Sequence, residues 1–264
     1  MNVIAVANRK GGVGKSTIAA NVAAALARDG QRILLIDMDS QGSASATVLE
    51  SISSGPTIAH VLAEAAQLVD VIRPSRIDGV WVAPATEELT HAQLSIVDKP
   101  GREMVLRRAL RAVRGSYDLA IIDTAPERQL GTVNALVAST HVLMPFTADA
   151  KALEGLSTTA QSVADIVDAE LATTQILGCV QVGHDTRLAV SRDAREQVVA
   201  AWRELVFDTA LRVNSSFVIC AAAHQSIFEI EESGRPPRRG SDDVRALTRE
   251  ICTRLDRAAS KAAA

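Results

Sequence analysis

The feature of the sequence that most restricts the fold is a glycine-rich run, KGGVGKST, at residues 10–17. An apolar, β-branched segment at residues 3–7 precedes this run. Apolar residues with the spacing of one helix face, Ile18, Val22 and Leu26, follow it. A strand, a glycine-rich turn and an amphipathic helix in this order are typical of a loop that binds phosphate groups at a helix N-terminus. The chain is therefore predicted to bind a phosphorylated ligand between its first strand and its first helix.

The chemistry of phosphate groups assigns a role to each part of this run. Glycines let backbone N–H groups converge on phosphate oxygens, while Lys15 is predicted to reach the β- and γ-phosphates and the Ser16 hydroxyl to ligate Mg²⁺. The usual spacing G-x-x-x-x-G-K-[ST] is not met, because Arg9 stands where its first glycine would be, and Lys10 is an additional lysine. The predicted nucleotide-binding residues are Gly11, Gly12, Val13, Gly14, Lys15, Ser16 and Thr17. The alternative is a glycine-rich turn without a ligand, which the order of the elements disfavours.

Further apolar runs recur along the chain, with helical patterns between them. They occupy residues 3–7, 33–36, 80–83, 119–122, 142–146 and 176–182. Most are continuous rather than alternating, which is typical of parallel strands covered on both faces. The alternation of strands and helices favours βαβ crossovers. We therefore predict an α/β fold, a doubly wound and mostly parallel sheet flanked by helices, in one domain over residues 1–264.

The same patterns predict helix faces and two loops. The predicted apolar faces are those of Met104, Leu106 and Leu110 and of Leu156, Val163, Ile166 and Val167. Residues 40–57 and 233–243 are rich in small and turn-forming residues and are predicted to be loops. A final helix is predicted from about Asp242 to Ala259, with Ser241 as its N-cap.

Composition and charge argue against several classes of protein. A net charge of −3 gives no overall attraction to nucleic acid or to an anionic membrane, and 3% aromatic residues argue against a base-stacking surface. The sequence has no apolar run near the ~18 residues that cross a bilayer and no signal-peptide pattern at its start. Cys179, Cys220 and Cys252 form no C-x-x-C pair, which argues against a disulfide scaffold and a zinc or iron–sulfur site. We expect a cytoplasmic protein.

Two further segments complete a resemblance to a known superfamily. Residues 33–42, ILLIDMDSQG, are similar to a D-x-D-P-Q-G segment after a second strand, with Ser40 in place of the usual proline. Residues 119–126, LAIIDTAP, are similar to a Walker B segment D-x-P-P, with Ala125 in place of the first proline. Together with the loop at residues 10–17, they resemble the deviant Walker A class of P-loop NTPases, the ParA, MinD and nitrogenase iron protein superfamily.

The resemblance implies roles for individual residues. It implies that Lys10 reaches across a dimer to the partner's nucleotide, that Asp39 orients or activates the attacking water, and that Asp37 supports the metal site. Asp123 follows an apolar strand, where a carboxylate at the sheet edge can hold the hydration shell of Mg²⁺. The predicted catalytic residues are Lys10, Lys15 and Asp39, and the predicted metal-site residues are Ser16, Asp37 and Asp123.

Within the superfamily, the chain is most similar to ParA-type partition ATPases. Its C-terminal part, residues 207–255, is more similar to the small plasmid ParF type than to chromosomal Soj. The three cysteines lack the spacing for the cluster of a nitrogenase iron protein, and Tyr117 alone cannot form the tyrosine-rich tail of the kinase relatives. The end of the chain, AASKAAA at residues 258–264, lacks the bulky apolar residues of a MinD membrane anchor.

This resemblance implies an ATPase that segregates DNA, most similar to plasmid partition proteins. It implies ATP and Mg²⁺ as cofactors, a homodimer formed on ATP binding, and non-specific binding to DNA, which would place the protein at the nucleoid. A ParB-like centromere-binding protein would stimulate hydrolysis, and no membrane would be involved. Two alternatives stay open: a related ATPase that positions a protein cluster, and a metabolic P-loop ligase or kinase of the dethiobiotin synthetase kind.

Three groups of arginines are the candidate contacts for DNA. They are Arg107, Arg111 and Arg114 with Arg102 and Arg108 nearby; Arg187, Arg192 and Arg195; and Arg235, Arg238 and Arg239. For the first group, a solvated helix face is the favoured alternative. Contacts to phosphates alone would make DNA binding independent of sequence and sensitive to salt.

Overall fold

The computed structural model describes residues 1–52, 55–126, 129–149, 151–234 and 239–263. Within these residues, eight strands form one sheet in the order β3-β4-β2-β5-β1-β6-β7-β8. The strands are β1 Asn2–Val6, β2 Ile33–Met38, β3 Arg73–Pro74, β4 Val80–Ala83, β5 Leu119–Thr124, β6 His141–Thr147, β7 Gln175–His184 and β8 Leu211–Arg212. The short β3 is antiparallel to β4, and the other neighbouring strands are parallel.

Twelve α-helices connect and flank these strands in the described part of the chain. They are α1 Lys15–Arg28, α2 Ser43–Val48, α3 Ile58–Leu62, α4 Leu68–Val71, α5 Glu88–Ser95, α6 Val105–Leu110, α7 Leu130–Ala138, α8 Ala152–Asp168, α9 Ala189–Trp202, α10 Ser215–Ala223, α11 Ile227–Glu232 and α12 Arg239–Ala263. None of the helices among the described residues has both the length and the apolar character that a membrane span requires.

The helices cover both faces of the sheet. Successive side chains of a strand point to opposite faces, so the apolar side chains of each strand are buried under helices on both sides. In β1, Val3 and Ala5 belong to one apolar cluster with α3 and α5 to α8, while Ile4 and Val6 belong to a second cluster with α1 and α12. Strands buried on both faces need apolar residues at nearly every position, which explains their continuous apolar runs. The predicted doubly wound, mostly parallel sheet flanked by helices is confirmed.

The connections place several strand ends at one edge of the sheet. β1 lies between β5 and β6, so α1 carries the chain past β5 to β2. Val6 and Asp37 both lie opposite Asp123 in the parallel register, at or near the C-terminal ends of their strands. The loop after β1 and the carboxylates of β2 and β5 therefore meet at a switch point of the sheet, where α/β proteins bind ligands.

Several local expectations are wrong. The segment at residues 40–57 contains the helix α2, although residues 53–54 lie outside the described residues. The last helix begins at Arg239 and continues to Ala263, so Ser241 lies inside it rather than capping it, and its backbone N–H donates to Glu231. Val167 is 39% exposed and does not belong to the buried face of α8. The two-residue strands β3 and β8 have no sequence pattern, because two residues cannot show a period.

Candidate nucleotide-binding site

The loop between β1 and α1 has the backbone of an anion-binding turn. Gly12 and Gly14 adopt positive φ angles of 73° and 84°, which side chains other than glycine rarely adopt. A Cβ atom on Gly14 would also lie 3.2 Å from Val182 Cγ1, so this position requires glycine for space as well as for φ. Gly14 has no side chain that could cap α1, and the first N–H groups of the helix therefore stay available to an anion.

A cavity of about 570 Å³ opens over this loop. Its lining includes most of the predicted nucleotide-binding residues and the predicted catalytic carboxylate, namely Gly11, Gly12, Gly14, Lys15, Ser16, Thr17 and Asp39. Val13 is buried beneath the loop, with 1% of its surface exposed. This volume is within the usual range of small-ligand and cofactor sites.

Lys15 brings a buried positive charge to the cavity. The residue is only 6% exposed, and its Nζ donates to the Lys10 carbonyl oxygen at 3.2 Å. Burial lowers the pKa of Lys15, whereas the charges of Asp123 and Asp39 oppose this shift. An anionic ligand would stabilise the charged form of this lysine in the same way.

Both carboxylate oxygens of Asp37 accept hydrogen bonds from within the protein. Its Oδ2 accepts hydrogen bonds from the Ser45 N–H at 2.8 Å and the Ser45 hydroxyl at 2.7 Å, and its Oδ1 accepts from the Asp39 N–H at 3.1 Å. Burial raises the pKa of Asp37 to about 6, against the opposing effect of the hydrogen bonds from Ser45. Asp37 thus joins the end of β2 to the first turn of α2 and orients the turn that carries Asp39.

Asp123 differs from Asp37, because neither of its carboxylate oxygens accepts a hydrogen bond from any described residue. The side chain is completely buried. Burial, followed by the charge of Asp37, raises its pKa well above the usual range, and the nearby Ser16 lowers it in part. A buried carboxylate without donors is costly unless a cation compensates it. The pair of Ser16 and Asp123 therefore fits a hydrated Mg²⁺ ion, which takes oxygen ligands and keeps several of its waters.

Lys10 turns away from the cavity and binds within its own chain. Its Nζ forms an ion pair with the Asp149 carboxylate and donates to Thr147 Oγ1 at 3.3 Å. Burial alone would raise the pKa of Asp149, but hydrogen bonds from Lys10 and Thr147 lower it overall. Asp149 is a functional candidate that the sequence analysis missed, since 139 residues separate it from Lys10.

Most described arginines of the three predicted groups bind within the chain. The partners are Glu103 for Arg102, Leu171 for Arg107, Glu64 for Arg108, Asp185 for Arg187, Thr186 for Arg192, and Phe207 and Asp208 for Arg195. α6 ends at Leu110 and a 3-10 helix over Arg111–Val113 follows it directly, so the α-helical spacing that would align Arg107, Arg111 and Arg114 is not kept. Arg235 and Arg238 lie outside the described residues.

Comparison with known proteins gives a consistent set of relatives. A family model described as an AAA domain matches residues 1–176. Over 214 residues, the chain is 36% identical to the sporulation initiation inhibitor protein Soj of Bacillus subtilis, covering 80% of this chain and 84% of Soj. It is 33% identical over 254 residues to the chromosome partitioning protein ParA of Myxococcus xanthus, covering 96% of this chain and 88% of that protein.

Solved structures share the fold. Cobyrinic acid a,c-diamide synthase from Mycobacterium smegmatis, with a bound ATP analog and magnesium, has a TM-score of 0.75 and 28% identity, covering 89% of this chain and 97% of its own. The ATP complex of Cyanothece McdA has a TM-score of 0.85 at 19% identity, covering 97% and 96%. At that identity, the likeness to McdA concerns the fold alone.

Proposed function

The chain belongs to the ParA/Soj/MinD family of ATPases, and from this premise we propose that it segregates DNA, as a partition ATPase that acts on a plasmid. The observation that carries the nucleotide site is the buried Asp123 carboxylate, which accepts no hydrogen bond from the described residues and lies near Lys15 in the first turn of α1. A nucleotide with a bound cation fits such a site, because its phosphate oxygens pair with the lysine and its cation pairs with the carboxylate.

Each group at the site has a task in hydrolysis. The N–H groups of the loop and the Lys15 ammonium bind the phosphates and stabilise the negative charge that develops on them. Ser16 and Asp123 would hold Mg²⁺, which supplies positive charge to the phosphates when it is bound. Asp39, on the wall of the cavity, accepts a hydrogen bond from the Gln41 N–H at 3.0 Å and can hold a water in line with the terminal phosphate. Asp37 keeps this turn in place.

Assembly depends on the second lysine. In the monomer, Lys10 binds Asp149. We propose that it leaves this partner when two protomers close face to face on ATP, and that it then contacts the other protomer's phosphates. The ATP-bound dimer binds DNA without sequence preference at the nucleoid, in the cytoplasm. A ParB-like centromere-binding protein stimulates hydrolysis, and the resulting dissociation releases the DNA.

A second cargo is supported by one observation. Six arginines of the predicted DNA-binding groups already have partners within the described chain, which weakens the case for a DNA surface built from these groups in a single protomer. The alternative is an ATPase of the same family that positions a protein cluster instead of a plasmid.

Co-sedimentation with DNA tests the proposed cargo. We expect the wild-type protein to sediment with unrelated DNA sequences in ATP and Mg²⁺ but not in ADP, and to lose this binding steeply as salt rises, because phosphate contacts release counterions. The Lys15→Ala variant serves as the control that lacks nucleotide binding. Binding of ATP without any ATP-dependent sedimentation would contradict DNA as the cargo and favour the protein cluster.

A further inference from the structure

The nucleotide cavity has a second end, away from the phosphate loop. α1 leads away from the phosphates along the cavity, and Asn21 lines it one turn after Thr17. Beyond this point, the wall consists of Thr47 in α2 on one side and of residues at the end of α10 on the other. The α10 side is formed by Cys220, Ala221, His224 and Gln225. If the phosphates of a nucleotide occupy the loop, this second end is the part of the cavity left for its sugar and base.

Both walls lie outside the central sheet, one on a short helix and the other at the end of a helix. α2 has six residues, which is too short for a helix that is stable without tertiary contacts. α10 ends at Ala223, and its C-cap His224, with a φ of 51° in the left-handed region, turns the chain into the loop that completes this wall. The distance between the two walls depends on contacts that join α2 to the end of α10.

Arg76 supplies those contacts, although it does not line the cavity. Its Nη2 donates to the Thr47 carbonyl at 2.8 Å and to the His224 carbonyl at 2.7 Å, so one nitrogen joins the two walls. Its Nη1 donates to the Leu49 carbonyl at 3.0 Å, at the end of α2. Its Nε donates to Glu229 Oε1 at 3.2 Å.

The environment of Arg76 distinguishes it from a surface arginine. Its side chain is 21% exposed and that of Glu229 is 23% exposed. The other oxygen of Glu229 accepts from the Ser226 N–H and hydroxyl, both at 2.8 Å, and so closes the capping box of α11 directly after α10. A planar guanidinium can serve four acceptors in fixed directions, whereas a lysine ammonium cannot reproduce this arrangement.

We propose that Arg76 is a positioning residue for nucleotide binding, which holds α2 and the end of α10 at the separation that the base and sugar of ATP require. It acts on ATP affinity without contacting the phosphates, because walls that are already in place reduce the cost of ordering them on binding. This inference rests on the nucleotide site of the proposed function and is independent of the cargo.

Calorimetry with two ligands in the presence of Mg²⁺ tests this role. We expect Arg76→Ala to weaken ATP binding about tenfold, since a few hydrogen bonds of modest net energy are lost, and to leave the affinity for inorganic triphosphate within about twofold. Arg76→Lys should give an intermediate loss of ATP affinity. The matched control is Arg32→Ala, because Arg32 also forms an ion pair, with Asp118, but just before β2 at the opposite edge of the sheet.

The comparison of ligands separates a positioning role from general damage to the fold. An unchanged ATP affinity in Arg76→Ala, or an equal loss for ATP and triphosphate, overturns the inference. If Arg76→Ala does not fold, Glu229→Gln decides the matter, with an expected ATP loss of about threefold and unchanged triphosphate binding. Failure of the wild-type protein to bind ATP would instead refute the proposed function.

Discussion

At the residue scale, the site is defined by charges that the protein buries without neutralising them completely. Lys15 is held near Asp123 and Asp39, and Asp123 receives no hydrogen bond from the described residues. Asp37, at the same depth, has its oxygens satisfied by Ser45 and Asp39. These two carboxylates on neighbouring strands therefore differ in their surroundings: Asp37 accepts hydrogen bonds from Ser45 and Asp39, whereas Asp123 stays available to the proposed cation.

Asp39 is the residue for which binding and turnover should separate. We expect Asp39→Ala to lower ATP turnover about a hundredfold while ATP affinity stays near that of the wild type, because a group that positions water acts mainly in the transition state. Removing its negative charge near the terminal phosphate also favours retention of ATP. Single-turnover hydrolysis and calorimetry measure the two quantities.

The control for this variant is Asp168→Ala, at the exposed end of α8, which should change neither quantity. In Asp39→Ala, the ATP-bound dimer and any DNA-bound state should persist during long incubation with ATP and Mg²⁺. A wild-type rate of hydrolysis under partner stimulation would assign the water-positioning role to another group.

At the element scale, the loops that follow β1, β2 and β6 carry the contacts that hold the residues of the site in place. Asp37 fixes the turn after β2 to α2, and Asp149 fixes the loop after β1 to the loop after β6 through Lys10. The Lys10–Asp149 pair is one-third exposed on each side, so it is weak enough to open. If this pair opens before assembly, as proposed, its own free energy opposes dimerisation.

We therefore expect Asp149→Asn to promote ATP-dependent dimerisation. An exposed ion pair contributes about 0.2–1 kcal/mol, and each dimer opens two of them, so the protein concentration at half-dimerisation should fall by about two- to thirtyfold. Light scattering with a slowly hydrolysed ATP analogue measures this midpoint, and Glu154→Gln on the exposed side of α8 is the control. A higher midpoint would show that Asp149 supports the dimer instead of opposing it.

At the scale of the whole molecule, Lys10 and Lys15 should divide the work between assembly and binding. The Lys10→Ala protomer keeps Lys15 and the N–H groups of the loop, and we expect it to bind ATP with an affinity within about threefold of the wild type. It should stay monomeric with ATP if Lys10 supplies, as proposed, the charge that contacts the partner's phosphates. Calorimetry combined with light scattering tests both statements, and normal dimerisation would refute the role in trans.

The sequence by itself determined the features that depend on local spacing. The order of strand, glycine-rich run and helix placed residues 11–17 at the N-terminus of α1, and continuous apolar runs identified the parallel strands. Asp37 and Asp123 could be assigned to one edge of the sheet, because residues at the C-terminal ends of parallel strands share that edge. These signals are readable since helix and strand periodicity and the chemistry of a phosphate loop act over a few residues.

Only the tertiary structure decided how the side chains of this edge are engaged. Lys10 and Asp149 are 139 residues apart, and Arg76 and Glu229 are 153 residues apart. The helix α2 forms within a segment that is poor in helix signals, because the buried Asp37 carboxylate accepts from its first turn. Such contacts depend on which loops the order of the strands in the sheet brings together. The spacing of residues along the chain does not reveal that order.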